Sequence, residues 1–490
     1  MKLSQLLSTT PIQAVSDHFD PEVSSLAYDS RQVEPGSLFF ALEGEKLDGN
    51  RFVSDAVAKG AVAIVSQSRE LNSTVPIAKV ENTRMTMAEI AAAFYSYPSH
   101  SLKISAVTGT NGKTTTAFLI RHLCSNARLP CGLIGTVVYD TGSGIQKAIR
   151  TTPEAPDVQE MLAQMRENGL CACALEASSH ASILHRLHAI EFDTFVFTNL
   201  TQDHLDFHKT LEAYFNAKAA FFERLSLQTK RAKGIVNADD RYGHLLIERL
   251  RDRIPILRYG VSANADFQAS DVRVHATGTT YQLKTRKKSY LVRLPLIGLF
   301  NVYNSLAALA TASSLGLELR AAVAGLASSP QIPGRMERVP AKRSFQVFVD
   351  YAHTEDALRN ALHTLKQLRP SRLIVVFGCG GNRDRAKRPL MARAAEELAN
   401  WTILTSDNPR KEDPEAIIAD AKKGFLHARY ECIPDRETAI RHAITLAQSG
   451  DILLIAGKGH EKYQELADSQ IPFDDVTVAS RAIAEKSVET

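Results

Sequence analysis

The sequence has no apolar run of membrane length, no Cys-x-x-Cys pair and almost no excess of either charge. Each shortage excludes something. The longest apolar runs, such as Leu373 to Phe377, are strand-sized, far short of the ~20 residues a spanning helix needs, so no membrane insertion is expected. Met1 to Ser8 lacks the continuous apolar region of a signal peptide. Cys124, Cys131, Cys171, Cys173, Cys379 and Cys432 sit mostly in apolar runs, where cysteine acts as a small hydrophobe, and a cytoplasmic protein is expected. A net charge of +4 over 490 residues gives no nucleic-acid signature, and the basic cluster Arg286-Lys287-Lys288 reads as a solvated hairpin tip. Small-molecule partners and a monomer are expected.

What is present is an ordinary globular composition, 44% hydrophobic and 23% charged, in a chain long enough for about three domains. Residues 1–98 mix short strand-like pieces with helical stretches, and Pro98-Ser99-His100 breaks the pattern. Residues 99–334 alternate strand-like and helix-like segments, as a mostly parallel sheet covered by helices requires, with an antiparallel ribbon expected over Phe267 to Val274 and Thr280 to Val292. After the Pro330 to Arg335 connection, residues 335–490 repeat the alternation with their own sheet. The fold class is α/β in three domains: a small mixed N-terminal domain, a central P-loop-type domain and a Rossmann-like C-terminal domain.

The central domain opens on Val107 to Thr116, between the strand-like Leu102 to Val107 and a helix predicted over Ala117 to Cys124. Gly109 and Gly112 let backbone N–H groups approach an anion, and the helix N-terminus adds partial positive charge. Lys113 can then reach terminal phosphates and Thr114 can ligate magnesium. The loop is shorter than the general phosphate-loop pattern, with Val107 where the first glycine would stand.

Open α/β sheets bind ligands beyond the carboxyl ends of their strands, which directs attention to three further places. Glu176 follows Cys171 to Leu175 and could hold magnesium near Thr114, or be a surface residue. His204 and His208 follow Thr194 to Thr198 at a spacing that suits zinc, or the stretch holds a helix-capping Asp and a satisfied histidine. Lys218 lies among Ala217, Ala219, Ala220, Phe221 and Phe222 and could equally be a snorkelling lysine.

These motifs, with Asn301-Val302-Tyr303-Asn304, Gly334-Arg335-Met336-Glu337 and Asp350-Tyr351-Ala352-His353, stand in an order that resembles the Mur ligases, ATP-dependent amide-forming enzymes of peptidoglycan synthesis. The resemblance runs nearly the whole chain. Leu26 to Arg31, Arg150 to Pro153 and Phe377 to Asp384 look like the branch that adds the third amino acid to UDP-N-acetylmuramoyl-L-alanyl-D-glutamate. It implies that Gly109, Thr110, Asn111, Gly112, Lys113, Thr114 and Thr115 hold ATP phosphates, and that Asn301, Arg335, Asp350 and His353 also contact ATP. Thr114, Glu176 and His204 would serve Mg2+, with Lys218 as a carbamate, and Lys113, Lys218 and His204 would be the catalytic set. Ser30, Thr151, Thr152, Ser178 and Arg186 match positions that hold the UDP-muramoyl-dipeptide, while Leu184 stands where a glutamine is expected.

Asp407, Asn408, Pro409 and Arg410 follow the strand-like Thr402 to Thr405. A guanidinium suits the carboxylate on the far end of meso-diaminopimelate and repels the bare ammonium of lysine. The same residues resemble the diaminopimelate-adding branch, where Arg383, Gly457 and Glu461 match further contacts. The activity implied is phosphorylation of the D-glutamyl γ-carboxylate, then attack by the amine on the acyl phosphate. Rival readings are a lysine-adding or folate-type sister ligase, a zinc hydrolase using His180, His185, His204 and His208, and a nucleotide-binding module without turnover. The resemblance also implies that residues 1–98 argue against the folate branch, whose members lack a UDP-binding first domain.

Overall fold

The computed structural model describes every residue except 17, 18, 45, 46, 69, 263, 342 and 487–490. The described residues form three many-stranded sheets and a two-stranded hairpin. In the first sheet Ser25–Ala27, Ser37–Phe40, Ala63–Ser66 and Ile77–Lys79 run parallel, with Ala14–Val15 antiparallel at the edge.

The second sheet has 11 strands, and its middle positions the site. Lys103–Thr108 lies between Ala172–Glu176 and Thr194–Phe197, parallel to both. The helix Lys113–Asn126 carries the chain over to Cys131–Ile134, on the far side of Ala172–Glu176. Connections therefore diverge on either side of Lys103–Thr108, which opens a crevice at its carboxyl end. The helix begins at Lys113, four residues before its expected start at Ala117, because the threonines that look polar in sequence are buried at its first turn. The expected run Thr280 to Val292 is two strands, Gly278–Thr285 and Ser289–Leu294, split at the basic cluster where Thr285 N–H donates to Lys288 O at 2.9 Å. The other end of the sheet carries a ribbon not foreseen from sequence, Val138–Asp140 and Ile145–Lys147, whose strands are only three residues each.

The helix Leu211–Arg224 shows how pattern becomes placement. Tyr214, Phe215, Phe221 and Phe222 recur at helical spacing and are buried, each contributing roughly 1.5–3 kcal/mol. Lys218 occupies the middle of that stripe, so the helix that buries the aromatics must bury the lysine too; it is 1% exposed.

The third sheet has six strands, with Gln346–Asp350, Ile452–Ala456, Leu373–Cys379, Trp401–Ser406 and Tyr430–Cys432 parallel. Leu373–Cys379 and Ile452–Ala456 are buried throughout, as strands covered on both faces must be. The hairpin Tyr463–Leu466 with Ser469–Pro472 stands beside this sheet's ligand edge.

Candidate active site at the junction of the sheets

The loop after Lys103–Thr108 is built on two glycines at positive φ with no room for a Cβ. Gly109 (φ 145°) and Gly112 (φ 88°) would place a Cβ 1.9 Å from Thr198 Oγ1 and 2.4 Å from Asn304 Oδ1, respectively. The neighbouring strand grips the loop: Asn111 N–H donates to Asn199 Oδ1 at 2.9 Å, and Thr198 Oγ1 donates to Asn111 O at 2.6 Å. Lys113 Nζ donates to Gly109 O (2.9 Å) and Thr110 O (2.8 Å), so its cation is held at the loop's mouth. Burial lowers its pKa, against the attraction of Glu176 and Asp203.

Glu176, expected either near Thr114 or on the surface, is fully buried. Its Oε2 accepts from Thr114 Oγ1 (3.0 Å) and Thr136 Oγ1 (2.9 Å), and its Oε1 from Thr136 N–H (2.8 Å). Arg335, from the far side of the Pro330 to Arg335 connection, donates to Thr114 Oγ1 at 3.1 Å and lies over the Tyr351 ring at 4.8 Å. Asp350 accepts from Met336 N–H at 2.7 Å, and burial pushes its pKa up to about 6 despite Arg335. Asn301 is buried with its amide engaged, donating to Ile297 O (2.9 Å) and accepting from Asn304 (3.0 Å); it borders a cleft of about 130 Å³ shared with Arg335, Ile297 and Gln331.

Lys218 Nζ donates to Gly109 O at 3.0 Å, the carbonyl that Lys113 also uses, and sits 4.5 Å from the Tyr214 ring centre. Burial, then the Lys113 cation, push its amine well below the usual lysine range. The snorkelling alternative is thereby removed. His204, with φ 53°, faces Asp203 (Nε2 to Oδ2, 3.5 Å) and the rings of His180 and Tyr214, rather than Glu176. Burial holds its pKa down at about 4. His208 bonds Ser179 Oγ at 2.8 Å, and His185 instead packs on His188. Among the described residues no three or more His, Cys, Asp or Glu are grouped to hold a metal ion, so the zinc reading has no site.

A cleft of about 330 Å³ runs between the second and third sheets. Asp203 and His204 line one wall; His353, Arg383, Asp407, Asn408, Arg410, Gly457 and Glu461 line the other. His353 Nδ1 donates to Tyr351 O at 2.8 Å. Gly381 packs under the Asn408-Pro409 turn, where a Cβ would meet Pro409 O at 1.9 Å. Arg410 (φ 52°) differs from the lone cation expected: its Nε donates to Glu465 Oε2 at 2.9 Å and its Nη1 to Gly381 O at 2.8 Å. Glu465, far along the chain on the hairpin, is therefore a fixed anionic partner of Arg410.

The residues expected to hold the UDP-dipeptide adjoin Glu176. Thr151 Oγ1 bonds Thr136 Oγ1 at 3.1 Å, and Thr152 Oγ1 donates to Glu176 O at 2.8 Å and accepts from Ser178 N–H at 3.0 Å. Arg186 donates to Thr152 O (3.0 Å) and pairs with buried Glu154 (2.7 Å). Ser30 stands on the turn Ser30–Gln32 of the first sheet's unit, its carbonyl accepting from Lys59. Leu184 ends the short helix Ser179–Ile183 and brings no hydrogen-bonding side chain to that wall.

Three family models match the chain: Mur ligase family, catalytic domain, over residues 22–95; Mur ligase middle domain over 107–312; and Mur ligase, glutamate ligase domain, over 334–459. The chain belongs to the Mur ligase family. Among its relatives, a protein of Geobacillus thermodenitrificans named UDP-N-acetylmuramoyl-L-alanyl-D-glutamate--2,6-diaminopimelate ligase is 44% identical over 99% of this chain and 100% of that one. One of the same name from Solibacter usitatus is 44% identical over 99% and 98%. A solved structure of that name superposes with a TM-score of 0.70 at 38% identity, covering 99% of both chains. MurF from Acinetobacter baumannii, at 20% identity and a TM-score of 0.66 over 99% and 98%, shares the fold.

Within this Mur ligase two polar residues in the junction escaped sequence reasoning. Asp356 accepts from Asn111 Nδ2 (3.0 Å) and Thr201 Oγ1 (3.3 Å), tying the third sheet's first helix to the phosphate loop. Lys458 is wholly buried behind Asn408 and Glu461. Asp356 reads in sequence as an ordinary acidic residue in the first turn of a helix. Lys458 carried a signal in its apolar strand context, but its partners lie in a different segment. No described helix is long and apolar enough to cross a membrane.

Proposed function

We propose that this Mur ligase joins meso-diaminopimelate to the D-glutamyl γ-carboxylate of UDP-N-acetylmuramoyl-L-alanyl-D-glutamate, at the expense of ATP. The observation that supports it is the cleft lined by Arg383, Asn408, Arg410 and Glu461, whose lining residue Asp356 also bonds Asn111 of the loop from Gly109 to Gly112. A carboxylate is a poor electrophile and oxide a poor leaving group. Moving the γ-phosphoryl of ATP onto the carboxylate oxygen breaks the β–γ P–O bond, forms the acyl phosphate and leaves ADP. The amine then attacks the acyl carbon, loses a proton and expels phosphate. Lys113 and the loop amides from Gly109 to Thr115 meet the phosphate charge that builds in the first step. Asn301, Arg335, Asp350 and His353 border the nucleotide's place. Thr151, Thr152, Ser178 and Arg186 hold the dipeptide carboxylate near Glu176, with Ser30 on the UDP side.

Thr114 and Glu176 fit Mg2+: a buried carboxylate whose recorded hydrogen-bond donors are neutral hydroxyl and amide groups suits a cation that takes one or two carboxylates alongside phosphates. Bound there, the ion would neutralise phosphate charge. Lys218 fits a carbamate, since burial and the Lys113 cation lower the pKa of its amine, and its neutral form can attack carbon dioxide, forming the N–C bond and releasing a proton. The resulting anion would also relieve the repulsion between Lys218 and Lys113.

The deciding measurement is phosphate release and amide formation with ATP, UDP-dipeptide and diaminopimelate, with lysine run in parallel. Product should need all three reactants and favour diaminopimelate. Arg410→Ala should lower kcat/KM for diaminopimelate by roughly 30-fold or more, the loss of a charge-assisted pair, and erode the preference. Faster turnover with lysine would defeat the reading.

A further inference from the structure

Lys458 has no exposed surface and lies just past the strand Ile452–Ala456. Its Nζ donates to Asn408 Oδ1 at 2.8 Å and to Glu461 Oε2 at 3.2 Å, while Asn408 Nδ2 donates to the same Glu461 oxygen at 2.7 Å. The three side chains close a ring. Asn408 Oδ1 also accepts from Glu465 N–H at 2.9 Å, so the amide has one orientation that satisfies every partner. Asn408 and Glu461 line the large cleft, and Lys458 is not among its lining residues.

Loss of solvent around the half-buried Glu461 raises its pKa, and Asp407 beside it pushes the same way. Lys458 opposes both, and Asn408 donates to the ionised form. The other groups that sense Glu461 are Tyr351 and Tyr463, both neutral, and Arg436, whose guanidinium is bound bidentately by Asp475.

We infer that Lys458 is a positioning residue for the amino-acid subsite: its ammonium anchors the Glu461 carboxylate and fixes the Asn408 amide beside it, so that Glu461 receives the ammonium at the far end of a zwitterionic amino acid whose carboxylate lies toward Arg410. The inference rests on the ligase reading above. It gives Glu461 a role among the cleft's acidic residues, near Arg383 and Arg410, because a distal ammonium and carboxylate need opposite charges side by side.

The test is a double-mutant cycle of Lys458→Gln and Glu461→Gln in the full chain, reading KM for each substrate and thermal melting. Lys458→Gln should raise KM for diaminopimelate about tenfold or more and leave KM for ATP within about twofold. In the Glu461→Gln background the same change should do little more. An equal rise in both KM values, or a full second loss in the Glu461→Gln background, overturns the inference. Should Lys458→Gln not fold, Lys458→Arg keeps the charge and moves its position; a KM shift confined to the amino acid supports the inference and one shared with ATP overturns it. Wild-type protein that forms no amide would instead sink the ligase reading, and this inference with it.

Discussion

Lys218 and Lys113 both donate to Gly109 O, and two ammonium groups against one carbonyl repel each other at short range. The arrangement is more stable with Lys218 neutral, or converted to an anion. Lys218→Ala should therefore cut turnover by about 100-fold or more, and a small carboxylate such as formate or acetate, entering the space left, should restore part of it. An active Lys218→Ala variant, or one that no carboxylate rescues, would count against the carbamate. Asp350 gives a prediction in stability. Its pKa is raised to about 6 in the fold, so the native chain binds that proton more tightly than the unfolded chain does. Its stabilising, protonated form is complete at low pH and is lost as pH rises from the ordinary carboxylate range through about 6. Asp350→Asn, which never ionises, should then melt higher than the parent by a margin that grows between pH 4.5 and 7. A margin that shrinks over that interval would contradict the sign. The same variant should bind nucleotide less well, since it abolishes a charge beside Arg335.

At the scale of elements, the conformation of the loop from Gly109 to Gly112 was legible because everything that defines it is local. Strand, two glycines, lysine, threonine and helix occupy one continuous stretch, and the structure adds why the glycines are fixed. Gly109→Ala would drive a methyl group into Thr198 Oγ1 and demand a positive φ, so it should cost about 1–3 kcal/mol and raise KM for ATP. Unchanged melting and KM would show that the loop can yield. The sheets were legible for a related reason: fully buried parallel strands such as Ile452–Ala456 are unbroken apolar runs. What sequence did not give was pairing between segments. Glu465 reads as one more charge near a turn until the hairpin sets it against Arg410, 55 residues earlier in the chain. Lys218 was ambiguous for a different reason, since the helical stripe that buries it also suits a snorkelling residue. Val138–Asp140 and Ile145–Lys147 are too short for periodicity to register.

Across the whole molecule, the second and third sheets meet through polar bridges as well as an apolar contact in which Val274, Ile297 and Phe300 pack on the third sheet's core. Arg335 reaches Thr114, Asp356 reaches Asn111 and Thr201, and Lys147 lies 4.6 Å from the ring centre of Tyr463. Such contacts are individually weak, which suits units that part and rejoin during turnover. An acyl phosphate is destroyed by water, so closure must precede its formation and opening must follow its capture. The chain between the units supplies a place for that motion: Gly334 has φ 64°, with His460 N 2.1 Å from where its Cβ would lie. The hypothesis is that the Pro330 to Arg335 connection is the hinge. A non-hydrolysable ATP analogue, by binding both Lys113 and the Arg335 side of the junction, should shift the population toward the compact form and lower the radius of gyration seen by small-angle scattering. Asp356→Ala, which removes one bridge without touching the hinge, should expand the unliganded protein and require more analogue to reach the compact profile. Identical scattering with and without the analogue, in both proteins, would mean that the two units do not move and that water is excluded by some other means.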